Sequence, residues 1–307
     1  MDILSPITHL TVTRLVESFT SQIIINAYKT DLDVDVSGFF TGIDKVEVRE
    51  CLDTGYRFYW PFNILGNEPF YDELKIQLPA KYNAPYYSDW KWEYDICFNY
   101  IKKTDIVYEI GCGAGNFLLK LKEKGSQVYG TELNHDSVAA ATQKGLIVDY
   151  ITIQQKADTT TEKYDVVCSF QVLEHVAEVK SFLDASIKIL KKGGKLMIAV
   201  PYNEPYLFKN DKFNTLNMPP HHMGLWGKQA FISLSKFFPI ELEEIIIEKL
   251  PECGYDFNQY YRINKDKNYP VGMPLKKIYD RFYLMWLKKK HTEKDGKNII
   301  AIFKKNS

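Results

Sequence analysis

No stretch of this 307-residue sequence approaches the run of about 18 apolar residues that a membrane-spanning helix needs. Met1 to Leu10 holds no basic segment followed by an apolar run, so no secretory leader is expected. Neither sign of charge dominates, since Lys+Arg and Asp+Glu both number 39. A chain that grips phosphate backbones normally carries a basic excess, so nucleic acid is not the expected partner. Cysteine is scarce, scattered and odd in number (Cys51, Cys97, Cys112, Cys168, Cys253), which excludes a disulfide framework and fits a reducing compartment. The chain therefore reads as cytoplasmic. Internal repeats and low-complexity tracts are also missing. What remains is 45% hydrophobic, enough for a full core, and rich in aromatics, with 21 Tyr and 18 Phe. Such a surplus suits walls for flat or sugar-like ligands.

The pattern changes near residue 90. Before it, Thr8 to Tyr28 has the apolar spacing of a helix, and Asp31 to Tyr87 reads as strands and turns punctuated by prolines. This part, 1–90, is expected to be an α+β extension lying as a lid over acceptor or cofactor. Trp90 to Ile101 is helical. From Lys103 strands and helices alternate, which argues for βαβ units in a parallel sheet. Strands are expected at 106–110, 128–132, 146–152, 164–170, 195–200, 240–250 and 297–304. Helices are expected at 117–124, 135–144, 180–190 and 228–238, the third stopped by Gly193-Gly194 with Lys191 and Lys192 in its last turn. The domain 91–307 carries insertions at 201–227 and 251–296, the second with a basic amphipathic helix near Leu275 to Lys290.

Chemistry concentrates after the first strand of that domain, in Glu109-Ile-Gly-Cys-Gly-Ala-Gly115. Glycines at Gly111, Gly113 and Gly115 let the backbone turn sharply and approach a ligand. A dinucleotide site of the G-x-G-x-x-G kind needs glycine at 116, where this chain has Asn116. Its pyrophosphate would also gain nothing from the neighbouring carboxylate of Glu109. S-adenosylmethionine carries an ammonium and a sulfonium instead, and a carboxylate suits both. Glu132, 21 positions after Gly111 and followed by Leu133, is placed to accept both ribose hydroxyls. Ile153 and Gln154 stand where an adenine would sit, apolar against the ring and polar toward its amine.

These segments, with Tyr164-Asp-Val-Val-Cys-Ser-Phe170-Gln171-Val-Leu-Glu174-His175-Val176 and Leu190-Lys-Lys-Gly-Gly-Lys195, resemble class I S-adenosylmethionine-dependent methyltransferases. The resemblance implies a Rossmann-like α/β fold with a seven-stranded sheet. Val-Leu-Glu-His-Val looks like the branch holding ubiquinone-pathway O-methyltransferases and enzymes of sugar and glycan clusters, in which Phe170 and Gln171 would line the methionine moiety. Pro219-Pro-His-His222 also looks like the sugar-cluster members. Cys51-Leu-Asp-Thr54-Gly and Tyr86-Tyr87 resemble the second half of a small zinc module found at the start of some of those enzymes. Thr54 replaces its second cysteine, and one thiolate cannot assemble a four-coordinate zinc site, so no zinc is expected there.

Methyl transfer is a displacement at a sulfonium, so the protein must position the acceptor and remove a hydroxyl proton. His175, His221 and His222 are the candidate bases, because they fall after expected strands at the sheet edge where ligands bind. Some relatives hold a divalent cation with Glu-x-x-Glu-His. Here the first carboxylate is Gln171, which weakens any site for hard cations, and no metal is expected. The expected function is O-methylation of a sugar, nucleotide-linked sugar or glycan hydroxyl. The alternatives are transfer to nitrogen or carbon of a similar molecule and a catalytically silent binding subunit.

Overall fold

The computed structural model of the protein describes residues 3–10, 12–82, 89–204, 213–249, 285 and 295–306. Its N-terminal part is built around an antiparallel pair, β1 (Thr13–Thr20) with β2 (Lys45–Cys51), extended by β3 (Arg57–Trp60). Between β1 and β2 runs α1 (Ser21–Leu32), which buries Ile24, Tyr28 and Leu32.

Two expectations fail here. The helix expected over Thr8–Tyr28 is strand in its middle and helix only from Ser21. Thr13, Val16 and Thr20 are β-branched and fit a pleated ribbon better than a helix. Leu15, one of the apolar residues behind the helical spacing of this stretch, is 52% exposed. Second, the stretch expected to be strands and turns contains a helix, α2 (Glu68–Tyr82), which buries Phe70 and Leu74 on one face. Its prolines concealed it. Pro69 lies in the first turn, where no helical donor is lost, and the Phe70 N–H donates to Asn67 Oδ1 (3.2 Å) as a start signal.

The second layer follows the expected alternation. In order come α3 (Trp92–Tyr100), β4 (Ile106–Ile110), α4 (Asn116–Lys124), β5 (Gln127–Thr131), α5 (His135–Gln143), β6 (Ile147–Asp149), α6 (Ile153–Thr159) and β7 (Tyr164–Phe170). Then follow α7 (Val179–Ile189), β8 (Leu190–Pro201), β9 (Gly224–Leu225), α8 (Lys228–Leu234), β10 (Ile240–Lys249) and β11 (Asp295–Lys305). Seven strands form one sheet in the order β10-β11-β8-β7-β4-β5-β6, with β11 antiparallel to both neighbours and β4 to β8 parallel. This is the expected Rossmann-like class I sheet. Both faces are apolar, with Leu183, Leu196, Ala301 and Phe303 among the buried residues on one side and Phe117, Met197 and Ile302 on the other.

Gly193-Gly194 does not stop α7, which ends four residues earlier at Ile189. The glycines lie in a bulge of β8, where the register against β7 jumps between Leu190 and Lys195. The short helix α6, opened by a Thr152/Gln155 capping box, was not anticipated. The expected helix near Leu275–Lys290 and Tyr86-Tyr87 lie outside the described residues, apart from Met285. Cys51, Cys97, Cys112 and Cys168 are buried free thiols. Among the described residues no helix is long and apolar enough to cross a membrane.

The extension and the first insertion meet in a second sheet, ordered β1-β2-β3-β9. Arg57 pairs with Leu225 and Phe58 with Gly224, and the Tyr59 N–H donates to the Met223 carbonyl at 2.9 Å. The insertion is thereby bound to the extension immediately after His221 and His222.

Candidate active site

Strand order reverses between β4 and β7, so the loops leaving their carboxyl ends diverge and open a crevice. A cavity of roughly 1040 Å³ lies there. Its walls include Gly111, Gly113, Asn116, Glu132, Leu133, Ile153, Gln154, Phe170 and Gln171, all expected from the sequence at the cofactor end. Gly115 does not face it and instead caps α4 in a left-handed conformation. Glu109 is 1% exposed and not part of the wall.

The loop after β4 is stitched to β5. Gly111 and Cys112 N–H groups donate to the Thr131 carbonyl (2.8 and 3.1 Å), and the Gly113 N–H donates to Glu132 Oε2 (2.8 Å). Glu132 Oε1 accepts from the Leu133 and Asn134 N–H groups (2.7 and 3.0 Å), so its carboxylate is held in one orientation. The two glycines serve different needs. At Gly111 (φ +68°) a Cβ would meet Val172 Cγ2 at 2.5 Å, whereas at Gly113 (φ +53°) a Cβ would point into open space. The bare backbone at Gly113 therefore leaves room for a ligand.

Other expected cofactor residues are already engaged. Phe170 packs edge-on against Tyr94 and Phe117. Gln171, at φ +58°, donates through Nε2 to Glu93 Oε1 (3.2 Å) and Asn298 Oδ1 (3.3 Å). Gln154 Nε2 donates to Ser181 Oγ (3.1 Å), and Asn116 Oδ1 accepts from Lys144 Nζ (2.7 Å). Glu109 Oε2 has no hydrogen-bond partner, and burial raises its pKa against the opposing pull of Lys91. Lys91 and Tyr94 line the cavity and were missed by sequence reasoning, as were Tyr71, Lys75 and Leu78 of α2. A lysine in the first turn of the helix expected over Trp90–Ile101 was the available signal for Lys91.

At the other end of the cavity the three candidate histidines converge. Their ring centroids are 4.7 Å (His175–His221), 4.7 Å (His175–His222) and 4.5 Å (His221–His222) apart. A short 3-10 turn after β7, Leu173–His175, delivers Glu174 and His175. The insertion delivers the other two, and the Met223 N–H donates to the Glu174 carbonyl (2.8 Å) to lock the two segments together. His175 Nδ1 faces the His221 carbonyl (2.6 Å) and His221 Nδ1 the Leu216 carbonyl (2.9 Å). His222 Nδ1 faces Asn217 Oδ1 (3.3 Å), whose own Nδ2 donates to Asn203 Oδ1. Carbonyl oxygens only accept, so each Nδ1 carries the proton.

Burial keeps the imidazoles neutral, pushing His175 down to about 4, His221 to about 3 and His222 well below its ordinary value. Burial pushes Glu174 up to about 8. It is 1% exposed and neither oxygen has a hydrogen-bond partner.

A family described as a methyltransferase domain matches residues 86–236, the segment that supplies the β4 loop, Glu132 and all three histidines. Residues 86–236, just under half of the chain, match that methyltransferase domain and carry the parallel strands of the class I sheet. The residues present fit S-adenosylmethionine as its cofactor. Gly113 leaves a backbone cradle and Glu132 a fixed carboxylate, both on the cavity wall.

The ubiquinone biosynthesis O-methyltransferase of Pseudomonas aeruginosa is 32% identical over 162 residues, covering 51% of this chain and 58% of that protein. The enzyme of the same name from Idiomarina loihiensis is 35% identical over 99 residues, covering 30% and 41%. The chain thus spans about half the length of these curated relatives. A solved S-adenosylmethionine-dependent methyltransferase from Archaeoglobus fulgidus has a TM-score of 0.49 at 18% identity, covering 69% of this chain and 91% of that one. The expected resemblance to sugar- and glycan-acting enzymes is not carried by these relatives, whose names point to ubiquinone biosynthesis, and carbohydrate modification finds no support among them.

Proposed function

We propose that the protein is an S-adenosylmethionine-dependent O-methyltransferase acting on a hydroxyl of a small molecule, with hydroxylated aromatic rings the favoured acceptor class. The observation that carries this reading is the meeting of His175, His221, His222 and Glu174 at the far end of a cavity whose near end is the cofactor cradle. The names of the relatives favour oxygen as the methylated atom. The Tyr71 ring packs against His175 and His221, an aromatic wall beside the cluster that suits a flat ring better than a fully hydroxylated sugar.

When bound, S-adenosylmethionine supplies a methyl group on a good leaving group. Glu132 accepts from the ribose hydroxyls, and Lys91, on the cavity wall, offers its charge to the carboxylate of the methionine part. Ile153 packs on the adenine, with the Gln154 amide oxygen beside its amine. The β7 end, with Phe170 and Gln171, separates these groups from the acceptor. The histidine–glutamate cluster receives the acceptor hydroxyl and is where its proton is lost.

Incubating the protein with methyl-labelled cofactor and a panel of catechols, phenols, nucleotide sugars and amines tests the acceptor. Label is expected on a phenolic oxygen. Transfer to nitrogen or to a sugar overturns the acceptor class, and cofactor binding without any transfer turns the reading to a silent binding subunit. Glu132→Ala is expected to weaken cofactor binding by about 1–3 kcal/mol, the worth of charged hydrogen bonds. Unchanged affinity by calorimetry would remove Glu132 from the site.

A further inference from the structure

The acceptor end holds more lone pairs than a proton-transfer site needs. With every Nδ1 committed as a donor, the Nε2 atoms of His175, His221 and His222 are bare acceptors. Glu174 Oε1 lies 3.8 Å from His175 Nε2 and 4.0 Å from His222 Nε2, and neither oxygen of this buried carboxylate has a hydrogen-bond partner. At these distances Glu174 makes no hydrogen bond to either nitrogen, so the lone pairs at the cavity wall stay unmatched. The buried carboxyl is left without a partner, which is costly. An electron-poor centre among them supplies the missing partner.

We propose that His175, His221, His222 and Glu174 hold one borderline first-row divalent cation, for which Zn²⁺ is the probe. One ligand atom from each histidine lies within 4.8 Å of the others. An ion at about 2.0–2.1 Å from each nitrogen draws them inward by roughly 1 Å, a small rotation of each ring. The three Nδ1 contacts to His221, Leu216 and Asn217 oxygens are the outer contacts that fix the orientation of metal-ligating histidines. Three nitrogens and one carboxylate favour zinc, cobalt or iron over magnesium, which seeks oxygen ligands in an octahedron. A carboxylate-rich site is not on offer, because Gln171 donates to Glu93 and Asn298. The ion would sit where the acceptor hydroxyl arrives and favour its ionised form. Metal binding stands apart from the choice of acceptor, and its test needs neither cofactor nor acceptor.

The full-length protein, stripped with a chelator, is titrated with Zn²⁺ against a competing chromophoric chelator, and with Co²⁺ followed by visible absorption. One Zn²⁺ per chain and the intense visible bands of four-coordinate Co²⁺ are expected. His221→Ala and His222→Ala should each weaken Zn²⁺ by at least about 100-fold. Asn217→Ala, which only releases the outer contact of His222, should weaken it by about 10–100-fold with the fold intact. Cys51→Ser, which removes the cysteine of the N-terminal sheet, should leave occupancy unchanged. Absence of stoichiometric Zn²⁺ in the wild type overturns the proposal. So does retention of full affinity in a folded His175→Ala/His222→Ala variant, or displacement of Zn²⁺ by equimolar Mg²⁺. Zinc bound without methyl transfer to any acceptor counts against the enzymatic reading alone.

Discussion

Alanine at His175, His221 or His222 is expected to lower methyl-transfer turnover by about 10²–10⁴-fold, the usual contribution of assisted proton removal. Cofactor affinity should survive, because Glu132 and the β4 loop are held by their own backbone hydrogen bonds and share none with the cluster. The three substitutions should not add. His175 Nδ1 donates to the His221 carbonyl and all three rings touch, so removing one disturbs the others. A lone imidazole here is a weak base, since burial pushes His175 down to about 4. Catalysis is therefore a property of the group. Single-turnover assays across the three single variants and the triple variant measure this, and near-full turnover in all of them would leave positioning as the whole mechanism.

Trp226→Ala is expected to cost about 3–5 kcal/mol of stability, the range for emptying a large buried aromatic site. Trp226 is fully buried, stacks on Phe231 with centroids 4.8 Å apart and lies 4.5 Å from the Tyr56 ring. It follows β9 directly, so the void opens where the two sheets meet. Its Nε1 has no hydrogen-bond partner. Trp226→Phe therefore loses area without stranding a polar group, and should cost less than half as much. Chemical unfolding of the two variants separates them. Equal losses would mean that the indole nitrogen contributes more than its surroundings indicate.

The parallel half of the fold was legible because its signals are local. Ile106–Ile110 and Tyr164–Phe170 are short apolar runs bounded by turns, and both strands lie at the residues expected. The Gly111–Gly115 loop and Glu132 were legible because close backbone approach and a strand-end carboxylate leave a spacing in the chain. The N-terminal part was not. Whether Thr13–Thr20 becomes strand or helix is decided by pairing with Lys45–Cys51, which no window of local periodicity contains. In α2, Pro69 and Pro79 argued against a helix that tertiary burial of Phe70 and Leu74 supports. The histidines were found individually. Their common protonation pattern was not, because it depends on the carbonyls of His221 and Leu216 and on the Asn217 amide, none of which a motif records.

The pairing of β3 with β9 bears on how this protein can be recombined with its relatives. Residues 57–58 and 224–225 are neighbours in one sheet although almost the whole parallel domain separates them in the chain. A graft that exchanged only the first ninety residues would present a foreign edge to Gly224-Leu225 and loosen the histidine pair just upstream. A graft that also carried 213–227 would transplant both partners and keep their fit. Acceptor preference should therefore travel between proteins as two distant stretches inherited together, with the cofactor half between them left in place.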